Sequence, residues 1–481
     1  ANCAIGAINA ATDHVPMLLF SGRTPVVERD RFGARTVPIG WGQEMRDQTA
    51  LVREASKWDY ELRFPEQVAE MADRAYAIST SIPKGPVYIS LPREVLCEPC
   101  PTAELDPPPA MAAHKVGVHA DAIKEAAKLL AEAKNPLIVA QRGTGSAEAF
   151  AAFTQMVGDW AIPVSQYWAV QLALPTQHPM NTGQELEPYL SEADVIVVLD
   201  CLAPWSPEIH KPRADCKIIQ IGQNPLYARF PVRNFRSDIT IMAETSEAVL
   251  SLADAMTEFE SGRENRTAYR RERITGQTQA ALNKALTAAE TGSGAPMTKA
   301  YVSKCLSDAI KDRPATVLSE LGCPMAQLDL KDHGTWYQEP HSGGLGWSFP
   351  CALGIQLADR KRLVVATMGD GSYMFSNPVP CHQIAEAMEL PVLILVLNNA
   401  EWGAVRQSVT GTYPEGYAAK SNDMPLVGLS PSPDFTKVAE ASRAWTATVA
   451  DGKDLPKVLA DAIRHIDENR AHAFVEVKIS G

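Results

Sequence analysis

The sequence has no long hydrophobic run and no excess of basic residues. No apolar stretch approaches the roughly 18 residues that a membrane-spanning helix needs, and no secretory signal segment can be read. Lysine and arginine number 45 against 57 acidic residues, which gives a net charge of −12. This balance excludes a general binder of nucleic acids, and any bound phosphate must be held by local contacts. We therefore expect neither a membrane nor a nucleic acid as partner.

Cysteine usage gives no sign of a zinc site or a disulfide framework. Among the nine cysteines only Cys97 and Cys100 are closely spaced. One such pair, without a second pair or a nearby histidine, is poor evidence for zinc. An odd and dispersed set of cysteines favours reduced thiols, and it predicts a cytoplasmic protein.

Apolar segments of strand length alternate with helical segments in three blocks, at residues 1–108, 115–258 and 296–481. This alternation is typical of doubly wound parallel sheets, so the predicted fold class is α/β with three sheet domains. The proline-rich segment 97–111 predicts a stiff, extended linker between the first two blocks. The charged segment 259–295, which is poor in apolar residues, predicts a linker helix before the third block.

The hydrophobic pattern also predicts individual elements. Predicted strands lie at 17–20, 85–91, 136–140, 194–199, 217–221, 315–318, 363–368, 392–397 and 473–477. Predicted helices lie at 4–11, 65–81, 120–133, 146–157 and 258–290.

Oxygen-bearing side chains follow two of these strands in the third block. The run 363–368 stops at Gly369-Asp370-Gly371-Ser372, and the run 392–397 stops at Asn398-Asn399. Because parallel strands point the same way, both segments emerge at one carboxyl edge of the sheet. Ligands of α/β proteins bind at that edge.

The residues at this edge suit a metal-bound diphosphate. One carboxylate, one amide oxygen and a nearby main-chain carbonyl form a set of hard oxygen ligands for Mg²⁺. Gly369 and Gly371 let main chain approach phosphate oxygens, and Ser372 adds a donor near a helix start. Taken alone, Gly-Asp-Gly is also an ordinary turn sequence.

At this spacing, the motif resembles that of the thiamine-diphosphate (ThDP) enzymes, in which Gly-Asp-Gly is followed by a distant Asn-Asn. The resemblance implies that Asp370, Asn399 and the main-chain carbonyl of Glu401 hold Mg²⁺, which anchors the cofactor's diphosphate. It also implies that Trp402 and Gly403 flank the diphosphate.

The resemblance extends over essentially the whole chain. Residues 342–358 are similar to the glycine-rich turn and helix of the 2-oxo-acid decarboxylase and acetolactate synthase group. Segments 2–25 and 85–92 look like the beginning and end of that group's pyrimidine-binding domain. Residues 342–406 look closest to benzoylformate decarboxylase. The resemblance therefore implies a pyrimidine-binding domain, a central domain and a diphosphate-binding domain, in that order.

The glycine-rich turn has implied roles at three positions. The resemblance makes the Gly343 carbonyl the acceptor for the amino group of the cofactor's aminopyrimidine, and Gly344 lets main chain come close. Leu345 would be the bulky residue beneath the cofactor that forces its bent conformation. The alternative is a turn that merely opens a helix.

The implied function is cleavage or formation of a carbon–carbon bond in a small 2-oxo acid, by a ThDP- and Mg²⁺-dependent lyase or transferase. Both a benzoylformate-decarboxylase-like decarboxylase and an acetolactate-synthase-like carboligase fit. Val405 and Ser408 are candidates for the substrate pocket, with ordinary packing as the alternative. The second hypothesis is a non-catalytic protein or fragment of this fold with a structural or regulatory role.

The sequence departs from the family at the residue that activates the cofactor. The family's activating glutamate lies upstream of the point corresponding to Ala1, and Glu44 lies in a later loop. We therefore expect an incomplete first domain and a longer natural protein. His341, and also His333, are candidate proton donors, with a solvent-facing histidine as the alternative. Glu320, at a strand end, is a candidate for lining the cofactor cleft.

The central block bears on nucleotide cofactors. Gly143-Thr144-Gly145 follows a predicted strand and hints at a nucleotide-binding turn, although one GxG is weak evidence. Acetolactate synthases hold FAD with a Gly-Arg-Phe-Asp-Asp-Arg type of stretch, which segment 200–205 lacks, so FAD is not expected.

The family divides the cofactor's two ends between neighbouring subunits, which implies at least a homodimer, with a homotetramer the commoner assembly.

Overall fold

The computed structural model describes residues 3–100 and 110–480. It has three β-sheets, one within each predicted block, and all neighbouring strands in them run parallel. The predicted α/β class with three parallel sheets is therefore confirmed, while the exact domain boundaries stay predictions. Of the predicted linker 97–111, residues 101–109 lie outside the described residues.

The first sheet has three strands in the order β1-β3-β2. Its strands are β1 (Met17–Arg23), β2 (Trp58–Glu61) and β3 (Pro86–Pro92). Its helices are α1 (Ala4–Thr12), α2 (Ile39–Gly42), α3 (Val68–Thr80) and α4 (Arg93–Cys97). Strand β3 lies in the middle, and successive side chains of a strand point to opposite faces. Tyr88 accordingly packs with Ala7 of α1 on one face, and Val87 packs with Ala75 of α3 on the other.

The central sheet has five strands in the order β5-β4-β6-β7-β8. Its strands are β4 (Pro136–Ala140), β5 (Val164–Ser165), β6 (Val195–Leu199), β7 (Lys217–Gly222) and β8 (Ile239–Met242). Its helices are α5 (Ala120–Glu132), α6 (Ala147–Asp159), α7 (Tyr189–Glu192) and α8 (Thr245–Met256). Every residue of β4 and β6 is buried, as expected for strands covered by helices on both faces.

The predicted linker helix is α9 (Arg263–Glu290), and it packs on the central domain. Its anchor is Arg270, a buried arginine whose guanidinium donates to the carbonyls of Ala133, Trp160 and Ala161 at 2.6–3.0 Å. These charge-assisted bonds offset the cost of burying the guanidinium. Arg271 adds bonds to the carbonyls of Gly158 and Asp159, so arginines fix a helix that has few apolar residues.

The third sheet has six strands in the order β10-β9-β11-β12-β14-β13. Its strands are β9 (Ala315–Glu320), β10 (Trp336–Gln338), β11 (Leu363–Gly369), β12 (Leu393–Asn398), β13 (Trp445–Val449) and β14 (Ala473–Lys478). Its helices are α10 (Lys299–Ile310), α11 (Ser348–Ala358), α12 (Asp370–Phe375), α13 (Pro378–Ala387), α14 (Gly403–Thr412), α15 (Tyr417–Ser421), α16 (Phe435–Glu440) and α17 (Leu455–Asn469). Buried apolar side chains form a core on each face of this sheet.

Two local predictions need correction. Cys97 was placed in an extended linker, but it is the last residue of helix α4, because the helix begins directly after Pro92 at the end of β3. The helix predicted at 65–81 begins as a 3₁₀ turn at Pro65–Gln67 and is α-helical from Val68 to Thr80.

All nine cysteines are free thiols. Within residues 3–100 and 110–480, no helix combines the length and the apolar character needed to cross a membrane.

Candidate active site

Strand register brings the two halves of the acidic motif together. In the third sheet Gly369 of β11 pairs with Leu397 of β12. Asp370 and Asn398 therefore leave the sheet side by side, and Asn399 follows directly. This is the arrangement that the sequence predicts for two parallel strands ending at one edge.

Asp370 has the character of a cation ligand. It is the first residue of helix α12 and only 2% exposed. Its Oδ2 is buried and has no hydrogen-bond partner among the described residues. Burial raises the pKa of this carboxyl above its ordinary value. A buried carboxylate oxygen without a donor is costly, and a bound cation would satisfy it.

The chain turns sharply around the predicted metal ligands after β12. Asn398 Oδ1 accepts from the Ala400 amide at 2.8 Å, and Ala400 has a left-handed φ of 56°. Asn399 Oδ1 accepts from the Glu401 amide at 3.2 Å. The Glu401 carboxylate pairs with the Arg406 guanidinium through two bonds of 2.7–2.8 Å. The side chain of Glu401 is thus committed to Arg406, which leaves its main-chain carbonyl as the predicted ligand.

The Trp402 ring packs directly on Gly371. A Cβ atom at position 371 would overlap the indole ring, so only glycine fits there. Trp402 also packs edge-on against Phe375 of α12, with ring centroids 5.7 Å apart. The ring therefore ties the segment after β12 to helix α12, and it brings Gly371 and Gly403 onto one side of the site.

The glycine-rich turn lies where the third domain meets the first. Gly343 and Gly346 have left-handed φ values of 66° and 84°, which glycine adopts without strain. At Gly344, an added Cβ would come within 2.8 Å of Asn9 Oδ1 on helix α1. The Ser342 hydroxyl donates to the same Asn9 oxygen at 2.5 Å. Leu345 is 39% exposed beside this junction, as a residue beneath a cofactor would be in the free protein.

Glu320 anchors the glycine-rich turn. It ends strand β9 and is 1% exposed. Its Oε1 accepts from the Gly346 amide at 2.6 Å, and its Oε2 accepts from the Ser348 amide at 2.7 Å, at the start of α11. Burial raises the pKa of this carboxyl above its ordinary value. The prediction that Glu320 lines the cofactor cleft is untested, but both oxygens already bind main chain, so its visible role is to hold the turn.

His341 joins the third domain to the central domain. Its Nε2 lies 2.7 Å from the Trp168 carbonyl, and its Nδ1 is buried without a partner in the described part of the chain. Because Trp168 offers only an acceptor, Nε2 carries the proton and Nδ1 is free to accept one. Burial, with a smaller effect of Arg142, lowers the pKa of His341 to about 4. The ring is therefore neutral near pH 7. Its catalytic role stays a prediction. His333 packs against Phe150 instead, at a centroid distance of 6.3 Å.

Sequence reasoning missed Glu476. This residue of β14 is buried, and its Oε1 accepts from Asn398 Nδ2 at 2.6 Å and from Lys478 Nζ at 2.5 Å. Its Oε2 accepts from the Thr448 hydroxyl at 3.0 Å. Glu476 thereby orients Asn398, which in turn holds the turn at Ala400. The available signal was a single acidic residue within the apolar strand 473–477.

The candidate pocket residues Val405 and Ser408 are exposed, whereas Glu44 is held by contacts within the first domain. Val405 is 49% exposed and Ser408 is also exposed, and helix α14 buries no residue, so ordinary core packing does not explain either side chain. Glu44 bonds to Thr24 and Arg35 and lies 2.9 Å from Arg23, which leaves it committed within its own domain.

The Gly143–Gly145 turn does not form the nucleotide site at which its sequence hints. Thr144 is fully buried, and an added Cβ on Gly143 would lie 3.1 Å from the Leu172 carbonyl. An added Cβ on Gly145 would lie 2.9 Å from the Ser246 amide. The turn packs against the protein itself, so its glycines serve the contacts between segments of the central domain.

Comparison with known proteins places the buried Asp370 and the glycine-rich turn within a domain of a known family. The family model of the C-terminal thiamine-pyrophosphate-binding domain of thiamine-pyrophosphate enzymes matches residues 321–477, and that of their central domain matches residues 123–252. The chain belongs to the thiamine-pyrophosphate enzymes. The C-terminal model includes Gly343–Gly346, Asp370, Asn399 and Glu476.

Relatives of this thiamine-pyrophosphate enzyme extend over nearly its whole length. A probable acetolactate synthase large subunit from Methanocaldococcus jannaschii is 25% identical over 494 residues, covering 96% of this chain and 77% of the relative. Glyoxylate carboligase from Escherichia coli O157:H7 is 24% identical over 494 residues, covering 98% and 78%. The fold is similar to that of a 4-hydroxybenzoylformate decarboxylase from Rhodococcus jostii RHA1, with a TM-score of 0.75, 21% identity, and coverage of 100% and 85%.

The donor set suits magnesium rather than a transition metal. Within residues 3–100 and 110–480, no cluster of three or more histidine, cysteine, aspartate or glutamate side chains is placed to hold a metal. The predicted ligands are one carboxylate, one amide oxygen and one main-chain carbonyl. Such hard oxygens, completed by water and phosphate oxygens, are what Mg²⁺ takes in proteins. The unpartnered Oδ2 of Asp370 fits this ion.

Proposed function

We propose that this thiamine-pyrophosphate enzyme uses ThDP and Mg²⁺ to break or form the bond next to the keto group of a small 2-oxo acid. One observation carries the proposal: the buried, unpartnered Oδ2 of Asp370 lies at the sheet edge where Asn398 and Asn399 also emerge. The glycine-rich turn 343–346 and its anchor Glu320 belong to the same domain edge. Acetolactate synthase and glyoxylate carboligase among the relatives support a 2-oxo acid as substrate.

Each group at the site has a defined task in this proposal. Bound ThDP supplies the electron sink for bond cleavage next to a carbonyl, and the protein supplies binding and orientation. Asp370, Asn399 and the Glu401 carbonyl hold Mg²⁺, while Trp402 and Gly403 flank the diphosphate. The Gly343 carbonyl, to which no described residue donates a hydrogen bond, accepts from the aminopyrimidine. Leu345 supports the bent cofactor from below.

Proton transfer in this proposal uses His341 as an acceptor. With Nε2–H held by the Trp168 carbonyl, the neutral ring offers the lone pair of Nδ1. Its lowered pKa keeps the ring neutral near pH 7 and makes it a weak base, so it can hold a proton only transiently. We further propose a homodimer as the smallest active unit, since the pyrimidine-binding and diphosphate-binding domains of neighbouring subunits would each hold one end of the cofactor. A tetramer is the larger assembly we propose.

The second candidate is a non-catalytic ThDP-binding protein. Among the described residues, Glu44 does not take the place of an activating glutamate, because its carboxylate pairs with Arg23 and Arg35. This candidate shares the metal and diphosphate contacts with the first. It differs in lacking turnover.

The test compares binding with turnover in the full-length protein. Thermal unfolding with ThDP and Mg²⁺ reports binding, and CO₂ release from a panel of 2-oxo acids reports chemistry, with product analysis separating an aldehyde from an acyloin. Asp370→Asn serves as the binding-deficient variant, and Gly354→Ala, where an added Cβ meets nothing within 4 Å, as the matched control. Binding with turnover supports the enzyme, and binding without turnover supports the second candidate. If neither cofactor nor metal shifts the unfolding temperature, both proposals are wrong.

A further inference from the structure

The first domain contains a polar cavity at the carboxyl edge of its own sheet. It has a volume of about 490 Å³ and begins where strand β1 ends, at Gly22 and Arg23. The loop that follows β1 forms one wall, and Arg93, directly after β3, forms another. None of the cofactor-binding residues assigned above lines this cavity. It is also the position in an α/β sheet at which ligands generally bind.

The charge of this cavity has one sign. Its charged lining residues are Arg23, Arg35 and Arg93, and no acidic residue lines it. The other polar side chains on its wall are Thr24, Thr36, Gln43 and Gln48. Thr24 already donates to Glu44 and Gln48 to the Gly22 carbonyl, which leaves Thr36 and Gln43 as possible donors. In a protein with a net charge of −12, three guanidinium groups give this cavity a positively charged lining, although Arg23 and Arg35 have carboxylate partners outside the lining.

The three guanidinium groups are held in place by the protein. Arg93 Nε donates to the Gly33 carbonyl at 2.6 Å, and Arg93 Nη2 donates to the Ala34 carbonyl. Arg35 Nε donates to the Pro25 carbonyl at 2.8 Å, and its Nη2 pairs with Glu44. Fixed guanidiniums lose little conformational entropy when a ligand binds, so the cavity is preorganised.

Arg23 completes the group from the end of β1. It pairs with Glu44 at 2.9 Å and with Glu61 at 2.8 Å, through different Nη atoms. Two carboxylates thus face three guanidiniums, which leaves one positive charge without an acidic partner. Arg93 is the arginine that makes no ion pair with a described residue, because both of its hydrogen bonds go to carbonyls.

Donors remain available on all three arginines. Within residues 3–100 and 110–480, Nη1 of Arg35 and Nη1 of Arg93 make no hydrogen bond. Nε of Arg23 is buried and has no partner in the same ranges. The Nη1 groups of Arg35 and Arg93 are therefore the donors that an anionic oxygen in the cavity can use.

We propose that this cavity binds the anionic group, a carboxylate or a phosphate, of a small organic ligand. Planar guanidiniums match both groups through paired N–H donors. Val37 and Ile39 add apolar surface to the same wall, which suits the carbon skeleton that bears the anion. The anion has two sources that share this chemistry: a second charged group on the 2-oxo acid substrate, or a separate effector.

The test titrates the full-length protein with inorganic phosphate and, separately, with succinate, against sodium chloride at matched ionic strength. Calorimetry follows binding, and unfolding temperature and circular dichroism verify that each variant is folded. We expect saturable binding that Arg93→Gln weakens about tenfold or more, because a charge-assisted bond is lost. Arg31→Gln is the matched control: exposed Arg31 lies in the loop after β1 and pairs with half-buried Glu98, but it does not line the cavity. It should bind like the wild type.

A second measurement needs no variant. Phenylglyoxal modifies accessible arginines, and peptide mass spectrometry locates the modified side chains in the wild-type protein. Phosphate should protect Arg23, Arg35 and Arg93 at least several-fold while leaving Arg29 and Arg31 unprotected. Equal protection of all five arginines, or a binding signal that follows ionic strength alone, would overturn the proposal.

Steady-state kinetics then identifies the source of the anion. Phosphate that competes with the 2-oxo acid assigns the cavity to the substrate's second charged group. Phosphate that binds without competing assigns it to a separate effector. Either result supports the site, and the direct binding data remain decisive even if the protein proves to have no turnover.

Discussion

The carboxylate of Glu476 and the side-chain amide of Asn398 form a buried hydrogen bond of 2.6 Å between neighbouring strands of the third sheet. Glu476 pairs in register with Val396, and Asn398 lies two residues further along β12, on the same face. Asn398 also accepts from the Ala400 amide at 2.8 Å. This relationship links strand β14 to the turn that carries the predicted metal ligands Asn399 and Glu401.

Replacing Glu476 should loosen that turn. In Glu476→Leu the buried Asn398 amide loses its acceptor, which costs about 1–3 kcal/mol, whereas the exposed Thr448 hydroxyl can bond to water instead. We expect a lower free energy of unfolding in urea and about tenfold weaker Mg²⁺ binding in the presence of ThDP. Glu476→Gln keeps an acceptor for Asn398, so its unfolding free energy and its Mg²⁺ affinity should lie between those of the wild type and Glu476→Leu. Unchanged Mg²⁺ affinity in Glu476→Leu would show that the turn holds its shape without this bond.

Asp370→Asn should separate cofactor binding from folding. The substitution removes a buried charge whose Oδ2 has no partner in the described chain, so the protein without cofactor should unfold at the same or a higher temperature. Mg²⁺-dependent ThDP binding should weaken about a hundredfold or more, because the only carboxylate in the predicted ligand set is lost. Calorimetric titration of ThDP at fixed Mg²⁺ measures this. Near-normal affinity would place the metal elsewhere.

The sheet edge that carries Asp370 and Asn399 was predictable because it depends on local sequence signals. Two apolar runs, each followed at once by an oxygen-bearing residue, were enough to place Asp370 and Asn399 together. Parallel pairing of β11 and β12 brings the two strand ends to the same edge. The same reasoning anticipated all three parallel sheets. Short elements such as β5 and β10 carry too few residues for their pattern to stand out.

Other features depend on contacts between distant segments, and sequence periodicity does not report these. The bond between His341 and the Trp168 carbonyl joins residues 173 positions apart in different domains. Glu476 gains its role only once β14 is placed beside β12, 78 residues away from Asn398. Glu320 was predicted at a strand end, but its two bonds to Gly346 and Ser348 depend on where the glycine-rich turn folds back.

Gly371→Ala should disturb the site through Trp402. An added methyl group would overlap the indole ring, so the ring must move away from Phe375 and from the diphosphate side of the site. Overpacking of this kind costs about 1–3 kcal/mol. We expect a lower unfolding temperature together with weaker ThDP binding. Gly354→Ala in helix α11 is the control, because its Cβ meets nothing within 4 Å and alanine favours the helix by about 0.5–1 kcal/mol.

The pH dependence of stability should report the protonation state of His341. Burial lowers its pKa from 6.5 to about 4, so the unfolded state takes up a proton before the folded state does. The stabilisation from this group is therefore complete above pH 6.5 and is lost as the pH falls toward 4. His341→Gln keeps an N–H donor for the Trp168 carbonyl and does not titrate. Its unfolding temperature should fall less than that of the wild type between pH 6.5 and 4, in matched buffers. An equal fall in both proteins would mean that the ring titrates normally in the folded state, which would contradict its burial without a partner for Nδ1.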